Sequence, residues 1–311
     1  METTTCNYCG SAGFEVIHRL PDLLLDRPDV ITQLVRCTQC ALVYQNPRPT
    51  FNEMGAHYPP EYDSYTPNLA EQKIPWLLRR AYNYGIGKRM RMITDVKPGG
   101  RLLDVGCATG TFLNGMRAHP QWTLFGVEVN EHAARIAQDS GLNVFTGTLE
   151  AARFPDNHFD AITLWDVFEH LHDPRASLAE LHRILAPGGV LVMRVPNLDS
   201  WDAKWFGETW AGLDAPRHLY IFSLEALRKF LGATGFNPIG MKCNIGSYPT
   251  FVLSIRFWLT ARGTPAAKRK AIMRILEHPI ARIVSAPLFY LTNIGLRGPL
   301  VTVRAYKPRE L

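Results

Sequence analysis

The segment LLDVGCATGTF, residues 102–112, places a glycine-rich turn between a short apolar strand and a helix. Gly106 and Gly110 allow the backbone to turn tightly and to approach a ligand closely, with amide groups exposed at the start of the helix. Glu128, in GVEVN, follows Gly106 by 22 residues and ends the next strand. An acid at that place can bind both ribose hydroxyls of an adenosine-containing cofactor. The spacing therefore predicts a cofactor site above a parallel sheet.

Strand and helix patterns alternate from Arg101 onward. The strand patterns are RLLDVG, TLFGVEV, NVFTG, FDAITLWDV and GGVLVMRVP, and GPLVTVRAYKP closes the chain with another. The helical patterns include TFLNGMRAH, NEHAARIAQDSG, PRASLAELHRIL and SLEALRKFLGATGF, which Ser223 can cap. This repetition predicts an α/β fold, doubly wound and Rossmann-like, with a mostly parallel seven-stranded sheet and helices on both faces.

At these residues the chain resembles class I S-adenosylmethionine (SAM)-dependent methyltransferases. DVGCATG is similar to their first motif and LAPGGVLVMRVPN to their fifth-strand segment, across roughly residues 75–240. The loop reads G-C-A-T-G instead of the G-x-G-x-x-G of dinucleotide dehydrogenases, which disfavours an oxidoreductase. The resemblance implies SAM as the cofactor, bound from its methionine end to its adenine by Asp104, Gly106, Cys107, Gly110, Glu128, Val129, Thr148 and Leu149. It also implies Asp166, after the fourth strand, near the sulfonium.

Four of the six cysteines form two pairs, Cys6-x-x-Cys9 and Cys37-x-x-Cys40. Two such pairs have the spacing of a tetrahedral zinc ribbon, so residues 1–46 are predicted to form a zinc-ribbon-like module with a structural Zn²⁺. Disulfides are the alternative, and the start METTTCNYCG, which lacks a signal-peptide pattern, disfavours them. The ribbon followed by LVYQNPRPT resembles a subgroup of bacterial methyltransferases often associated with modification of small molecules, sugars or cell-surface polysaccharides.

Two segments flank or interrupt the alternating pattern. Residues 47–74 are predicted to form a Pro- and Tyr-rich arm, and residues 75–311 the methyltransferase-like domain. Three tyrosines of the arm could fold over the mouth of the acceptor site: Tyr58, Tyr62 and Tyr65. Residues 240–296 are predicted to be a basic helical insert before the last strand. Its amphipathic pattern puts a Lys/Arg cluster on one side and apolar residues on another. The apolar residues are Ile272, Ile275, Leu276 and Ile283.

The segment LWDVFEHLHDP, residues 164–174, supplies the candidate catalytic residues. Asp166, Glu169 and His170 have i, i+3, i+4 spacing, which would put all three on one face of a helical turn. His170 suits proton removal from an acceptor hydroxyl, because the ordinary pKa of histidine is near 6.5. His172 and Asp173 are predicted to form an exposed turn before the helix that begins at Pro174.

With His218, in APRHLYIF, the same segment also resembles the E-x-x-E-H…H arrangement of some O-methyltransferases that bind a divalent metal. Asp166 stands where those proteins have glutamate. Three alternatives stay open: His170 as a base without metal, a catalytic metal held by these residues with His218, and a purely structural role in which Glu169 and His170 cap the helix or bridge to His218.

The residues after the fourth strand and the fifth strand bear on the acceptor. Methyltransferases of exocyclic amines and amides resemble one another in an Asn/Asp-Pro-Pro-aromatic run, whereas residues 165–168 here read WDVF. The acceptor atom is therefore predicted to be oxygen or carbon. An aromatic run after the fifth strand is either a lid over the acceptor or core packing, and it comprises Trp201, Trp205, Phe206 and Trp210.

The net charge of +6 is unevenly distributed. Residues 241–311 hold 12 basic and 2 acidic side chains, while residues 1–80 hold 7 and 9. The net negative charge of the ribbon disfavours a nucleic-acid partner, and a small-molecule or glycan acceptor is predicted. The basic carboxyl-terminal segment could contact RNA, lie on an anionic membrane, or be a solvated helix face. We expect a cytoplasmic protein, and peripheral contact at the inner membrane surface is one of these three alternatives. An RNA methyltransferase and a non-catalytic SAM- or zinc-binding module remain alternative functions, and the oligomeric state is not predicted.

Overall fold

A computed structural model describes residues 1–58, 76–243 and 246–309. The amino-terminal part consists of β1 (Phe14–Asp22), β2 (Arg27–Cys37), β3 (Val43–Gln45) and the one-turn helix α1 (Phe51–Met54). β1 and β2 form a long antiparallel hairpin, and β3 pairs with the other edge of β2. Two of the arm tyrosines, Tyr62 and Tyr65, lie outside the described residues.

A seven-stranded sheet forms the centre of the molecule. The remaining strands are β4 (Gly100–Val105), β5 (Trp122–Glu128), β6 (Asn143–Thr146), β7 (Phe159–Trp165), β8 (Leu185–Pro196), β9 (Tyr220–Ile221), β10 (Asn237–Lys242) and β11 (Leu300–Tyr306). The sheet order is β10-β11-β8-β7-β4-β5-β6. All neighbours are parallel except β11, which runs antiparallel to both β8 and β10. The predicted mostly parallel, doubly wound sheet is confirmed.

Helices connect these strands and pack on the sheet. They are α2 (Trp76–Thr94), α3 (Thr111–Met116), α4 (Glu131–Asp139), α5 (Pro174–Ile184), α6 (Trp201–Phe206), α7 (Leu224–Ala233), α8 (Ser247–Ala261), α9 (Ala266–Leu276) and α10 (Pro279–Asn293). Side-chain oxygens cap several of them, including Ser223 at α7, as predicted. Alternate residues of β4 point to opposite faces, so Leu103 and Leu102 belong to two different apolar clusters.

The amino-terminal sheet is continued by a strand from the far end of the chain. β9 pairs with β3 through Val43 opposite Ile221 and Tyr44 opposite Tyr220, which makes a four-stranded sheet. Buried Tyr44 also belongs to the same apolar cluster as Leu103 of β4. The amino-terminal module is therefore packed into the methyltransferase-like domain and shares its core.

The insert between β10 and β11 is the three-helix group α8, α9 and α10. Two residues of the predicted apolar side, Ile275 and Ile283, are 69% and 65% exposed, so part of that side faces solvent. Within the described part of the chain, no helix is long and apolar enough to cross a membrane.

Candidate active site

The glycine-rich loop lies where β4 meets α3. Gly106 and Gly110 have φ of 67° and 77°, in the left-handed region that glycine tolerates. A Cβ on Gly106 would lie 2.6 Å from a methyl group of Val167, and one on Gly110 would lie 2.3 Å from Leu142. The loop therefore packs so closely on the β7 end and on the α4–β6 turn that only glycine fits, as the sequence pattern predicts.

Glu128 ties this loop to the next strand. Its carboxylate accepts the backbone N–H of Ala108 and that of Asn130, each at 2.8 Å. Each oxygen has two lone pairs, so one remains on each for a ligand hydroxyl. Val129 is 53% exposed beside it and can cover a flat ring. These groups fit the ribose and adenine of SAM.

The remaining predicted cofactor residues surround the same loop. Asp104 is buried, and burial raises its pKa to about 7 although Thr163 donates a 2.6 Å hydrogen bond to its Oδ1. Cys107 is buried, and burial, followed by the charge of Asp104, raises the pKa of its thiol. Leu149 is buried in the core, while the hydroxyl of Thr148 accepts the N–H of Ala151. The side chains of Cys107 and Leu149 thus belong to two different apolar clusters of the core.

The predicted helical grouping of Asp166 with Glu169 and His170 is wrong. Asp166 has φ of 61°, and the 3-10 turn that follows covers only Phe168–His170. The Asp166 carboxylate instead binds the guanidinium of Arg194 on β8, with Nε 2.7 Å from Oδ1. Burial alone would raise the pKa of Asp166, but the charge of Arg194, its hydrogen bonds and the charge of Arg89 together outweigh burial and lower the pKa. Asp166 is therefore ionised and neutralised by Arg194.

Glu169, His170 and His218 come together instead. One ligand atom from each lies within 4.8 Å of the other two, and the two imidazole rings meet edge to face at 4.7 Å. Neither carboxylate oxygen of Glu169 forms a hydrogen bond with another residue that the structure describes. Burial, and then the charge of Asp166, raises the pKa of Glu169 well above its ordinary value. A buried carboxyl of this kind either stays protonated or faces a cation.

Backbone carbonyls set the tautomer of both histidines. His170 Nδ1 lies 2.9 Å from the carbonyl oxygen of Arg217, and His218 Nδ1 lies 2.8 Å from that of Gly212. A carbonyl oxygen only accepts, so each Nδ1 carries the proton and Nε2 is the basic nitrogen. Burial, and then the neighbouring His218, lowers the pKa of His170 to about 3. Its imidazole is therefore neutral near pH 7.

The amino-terminal part contributes a side chain to this group. The Tyr58 hydroxyl lies 2.8 Å from His170 Nδ1, so the arm tyrosine reaches the site as predicted. Asp173 is exposed directly before Pro174, as predicted, and it accepts a hydrogen bond from Asn7. His172 is corrected from an exposed turn, because it is half-buried and its Nε2 lies 3.1 Å from the Pro49 carbonyl oxygen. They join the two parts of the chain.

A buried ion network holds the His218 segment, and sequence reasoning missed it. The Arg217 guanidinium is fully buried between Asp22, at the end of β1, and Asp214. The nearest nitrogen–oxygen distances are 2.6 and 2.8 Å. The charges of the two carboxylates outweigh the effect of burial and raise the pKa of Arg217. Arg194 was missed as well, although a lone arginine in the apolar strand GGVLVMRVP was a signal for it.

The four paired cysteines converge, as their spacing predicts. Their sulfurs lie within 4.8 Å of one another, with Cys6–Cys40 at 3.4 Å and Cys9–Cys37 at 3.5 Å. Both sulfur pairs are longer than the 2.05 Å of a disulfide and close to the about 3.8 Å that tetrahedral zinc with 2.3 Å bonds requires. Gly10 and Ala41, which follow the two cysteine pairs, have left-handed φ of 75° and 63°. The N–H of each donates a hydrogen bond to the carbonyl of the first cysteine of its pair. The donors fit a zinc ion.

The aromatic run after the fifth predicted strand consists of exposed residues at its start and packed residues at its end. Trp201 and Trp205 are 41% and 56% exposed and stack on each other. Phe206 packs on Phe251 of α8, and Trp210 is buried. Only the first two residues are accessible enough to cover an acceptor.

Comparison with known proteins decides the family. Residues 78–239 match a family model described as a methyltransferase domain. The chain belongs to this family. Together with the sheet order and the glycine-rich loop, the match identifies it as a class I SAM-dependent methyltransferase by fold and family, as the sequence resemblance implies.

Curated relatives agree over the same domain. The chain is 32% identical over 161 residues to a ubiquinone/menaquinone biosynthesis C-methyltransferase of Cupriavidus necator, covering 44% of this chain and 66% of that protein. It is 31% identical over 121 residues to an uncharacterized methyltransferase of Schizosaccharomyces pombe, covering 34% and 44%. The chain therefore spans between 44% and 66% of the length of these relatives.

A solved structure shares the fold. The 4+2 cyclase SpnF superimposes with a TM-score of 0.54 at 20% identity, covering 85% of this chain and 98% of that one. At this identity the likeness concerns the fold alone. A cyclase with this architecture shows why the acceptor chemistry has to be argued from side chains.

Replacing Glu128 with glutamine is expected to weaken SAM binding by about 10- to 100-fold. The amide keeps the shape but loses the charge, and its NH₂ faces one of the two backbone N–H groups that the carboxylate accepts. Isothermal titration calorimetry of the purified chain measures the dissociation constant. Glu131→Gln, an exposed acid three residues along, is the matched control. Equal affinity in Glu128→Gln and wild type would refute the assignment.

Proposed function

We propose that this protein transfers the methyl group of SAM to an oxygen or carbon atom of a small-molecule, sugar or lipid-linked glycan acceptor. The observation that supports this best is the group of Glu169, His170 and His218, in which buried Glu169 and half-buried His170 follow β7, the sheet neighbour of β4. Residues at the carboxyl ends of neighbouring parallel strands meet at one edge of the sheet. The group therefore lies beside the glycine-rich loop that would hold SAM.

Methyl transfer asks little covalent chemistry of the protein. SAM supplies an electrophilic methyl group on a cationic sulfonium, so the chain has to align the acceptor and remove a proton. We assign that proton to Nε2 of His170, because the Arg217 carbonyl holds the proton on Nδ1. Tyr58 and His218 orient the ring from two sides.

A divalent metal at this group is the second candidate mechanism. Glu169, His170 and His218 would be its ligands, and both Nδ1 atoms already donate to backbone carbonyls, as metal-binding histidines commonly do. A metal would lower the pKa of an acceptor hydroxyl and orient it. Asp166 is occupied by Arg194 and is not among these ligands; we place it instead at the cofactor side of the group.

Separate observations support oxygen and carbon as the acceptor atom. A histidine base suits a hydroxyl, and the exposed Trp201 and Trp205 could cover a sugar or another flat acceptor. The Cupriavidus relative is named a C-methyltransferase, which supports a nucleophilic carbon as the alternative acceptor atom. Both reactions release one proton, so His170 has the same task in each.

The amino-terminal cysteines have a separate role in this proposal. We infer that Cys6, Cys9, Cys37 and Cys40 bind one structural Zn²⁺ that stabilises residues 1–46. The acidic charge of that part disfavours a nucleic-acid acceptor. The cytoplasmic location stays a prediction.

Incubation with labelled SAM tests the function. The full chain is mixed with fractionated extracts of the source cell, and label is scored in the small-molecule, lipid, glycan and RNA pools. Label in small molecules, lipids or glycans supports the proposal, and label confined to RNA contradicts it. Tight SAM binding without label in any pool would indicate a non-catalytic module.

A further inference from the structure

Helix α10 exposes an apolar stripe to solvent. It is formed by residues that are each between 49% and 74% exposed: Ile280, Ile283, Val284, Leu288, Tyr290 and Leu291. Their spacing of three, four and seven residues puts them on one side of a 15-residue helix. Helices of globular proteins normally turn such a side towards the core, and a contiguous exposed patch marks an interaction surface.

The other side of α10 is anchored to the rest of the protein. Phe289 is 7% exposed and packs edge to face on Tyr248 and Phe251 of α8. The Ser247 hydroxyl donates a 2.7 Å hydrogen bond to Asn293 at the end of the helix. These contacts hold the helix in a rotation that directs the apolar stripe outward.

Positive charge accompanies the apolar stripe. Residues 262–297 contain seven basic side chains and one acidic side chain, Glu277. Six of these basic residues are exposed, and we call them the basic rim: Arg262, Lys268, Lys270, Arg274, Arg282 and Arg297. Lys270 and Arg274 also line, with Arg256, a groove of about 520 Å³ next to His278 and Pro279. An anionic group is the complement of this surface.

The surface lies close to the edge of the sheet that carries the candidate site. Asn197, just after β8, donates two 2.9 Å hydrogen bonds to the carbonyls of Leu296 and Gly298, immediately after α10. α8 also packs on α6, which carries the exposed Trp201 and Trp205. A partner seated on α10 would therefore approach the mouth of the acceptor site.

We propose that the apolar stripe and the basic rim dock this protein on an anionic lipid bilayer, with α10 lying parallel to the membrane surface. A helix of 15 residues is about 22 Å long and inserts its apolar side into the boundary between headgroups and acyl chains. The lipid phosphates then meet the basic rim. A second copy of the chain fits less well, because a symmetric contact would bring two basic rims together. The proposal does not depend on the acceptor assigned above.

Vesicle flotation with the full chain tests this. Vesicles of phosphatidylglycerol mixed with phosphatidylcholine are expected to bind the protein, and vesicles of phosphatidylcholine alone to bind it weakly. The triple variant Lys268→Gln, Lys270→Gln, Arg274→Gln should lower the partition coefficient on mixed vesicles about a hundredfold at low salt, from about 1 kcal/mol per charge. The variant Val284→Ser, Leu288→Ser, Leu291→Ser should lower it by more than about tenfold.

The matched control removes three apolar residues from the exposed side of the amino-terminal hairpin: Phe14→Ser, Val16→Ser and Ile31→Ser. It should leave partition unchanged. A separate variant, Tyr290→Trp, should show fluorescence quenching by brominated phosphatidylglycerol in otherwise native protein. Equal binding to neutral and anionic vesicles, or no quenching at position 290, would overturn the proposal. A dimer in light scattering that only the α10 variant dissociates would assign the surface to a second copy and overturn it too.

Discussion

Replacing His170 with alanine is expected to lower kcat by about a hundredfold, the lower end of the usual contribution of a positioned general base, because burial lowers the pKa of His170 and makes it a weaker base. The dissociation constant of SAM should change little, because His170 contacts Tyr58, Arg217 and His218 and none of the glycine-loop residues. Burial holds the pKa of His170 at about 3, so the rate of the wild-type enzyme should not follow a titration near pH 6.5. Single-turnover kinetics with the acceptor found in the labelling experiment measures both quantities.

The matched control is His172→Ala, two residues along, whose Nε2 contacts the Pro49 carbonyl instead of the site. It should retain wild-type kcat within a few-fold. Comparable losses in both variants would show that the segment is merely being destabilised. A chelator separates the two mechanisms, since wild-type activity survives it for a histidine base and is lost for a metal held with Glu169 and His218. Zinc content is measured in parallel, because the cysteine cluster could also release metal.

The same depressed pKa has a consequence for stability. The unfolded chain binds a proton at His170 near pH 6.5, whereas the folded chain resists it until about pH 3. Between these values the unfolded state holds more protons. The contribution of His170 to the free energy of unfolding is therefore complete above pH 6.5 and falls as the pH is lowered towards 3.

Replacing Cys37 with serine is expected to abolish stoichiometric zinc binding and to lower the free energy of unfolding by about 3–4 kcal/mol. That is a quarter of the roughly 10–16 kcal/mol that a four-ligand structural zinc site supplies in small domains. The melting temperature should fall by about 5–6 °C for a chain of this length. Plasma emission spectrometry counts the zinc, and calorimetry follows unfolding.

The loss of zinc in Cys37→Ser is expected to disturb the candidate site. β3, which follows the second cysteine pair, is the strand that pairs with β9, two residues after His218. Asp22 of the same module holds Arg217, whose carbonyl sets the His170 tautomer. Cys37→Ser is therefore expected to reduce kcat more than SAM affinity. Cys243→Ser, a buried thiol outside the cluster, should keep its zinc, and zinc loss there or retention in Cys37→Ser would contradict the site.

Sequence patterns that lie within a few dozen consecutive residues were sufficient to predict the fold, the cofactor loop and the cysteine cluster. The strand, the turn at Gly106 and Gly110, and Glu128 lie within one β-α-β unit, so their spacing predicts their geometry. The cysteine pairs belong to the same class, because each Cys-x-x-Cys is a local knuckle. Helical spacing failed at Asp166, where a left-handed residue interrupts the turn and the β8 arginine captures the carboxylate.

The sequence by itself determined the doubly wound sheet, the cofactor loop, the convergence of the four cysteines and the presence of a basic insert, since each follows from local periodicity or spacing. Only the tertiary structure decided which groups surround His170. Tyr58 and Asp22 come from a module far away in sequence, brought there by β3–β9 pairing and a buried ion network. It also decided which way α10 faces. An amphipathic pattern is the same whether its apolar side meets a core or a membrane, and here Phe289 and the Ser247–Asn293 hydrogen bond hold the other side of the helix inward.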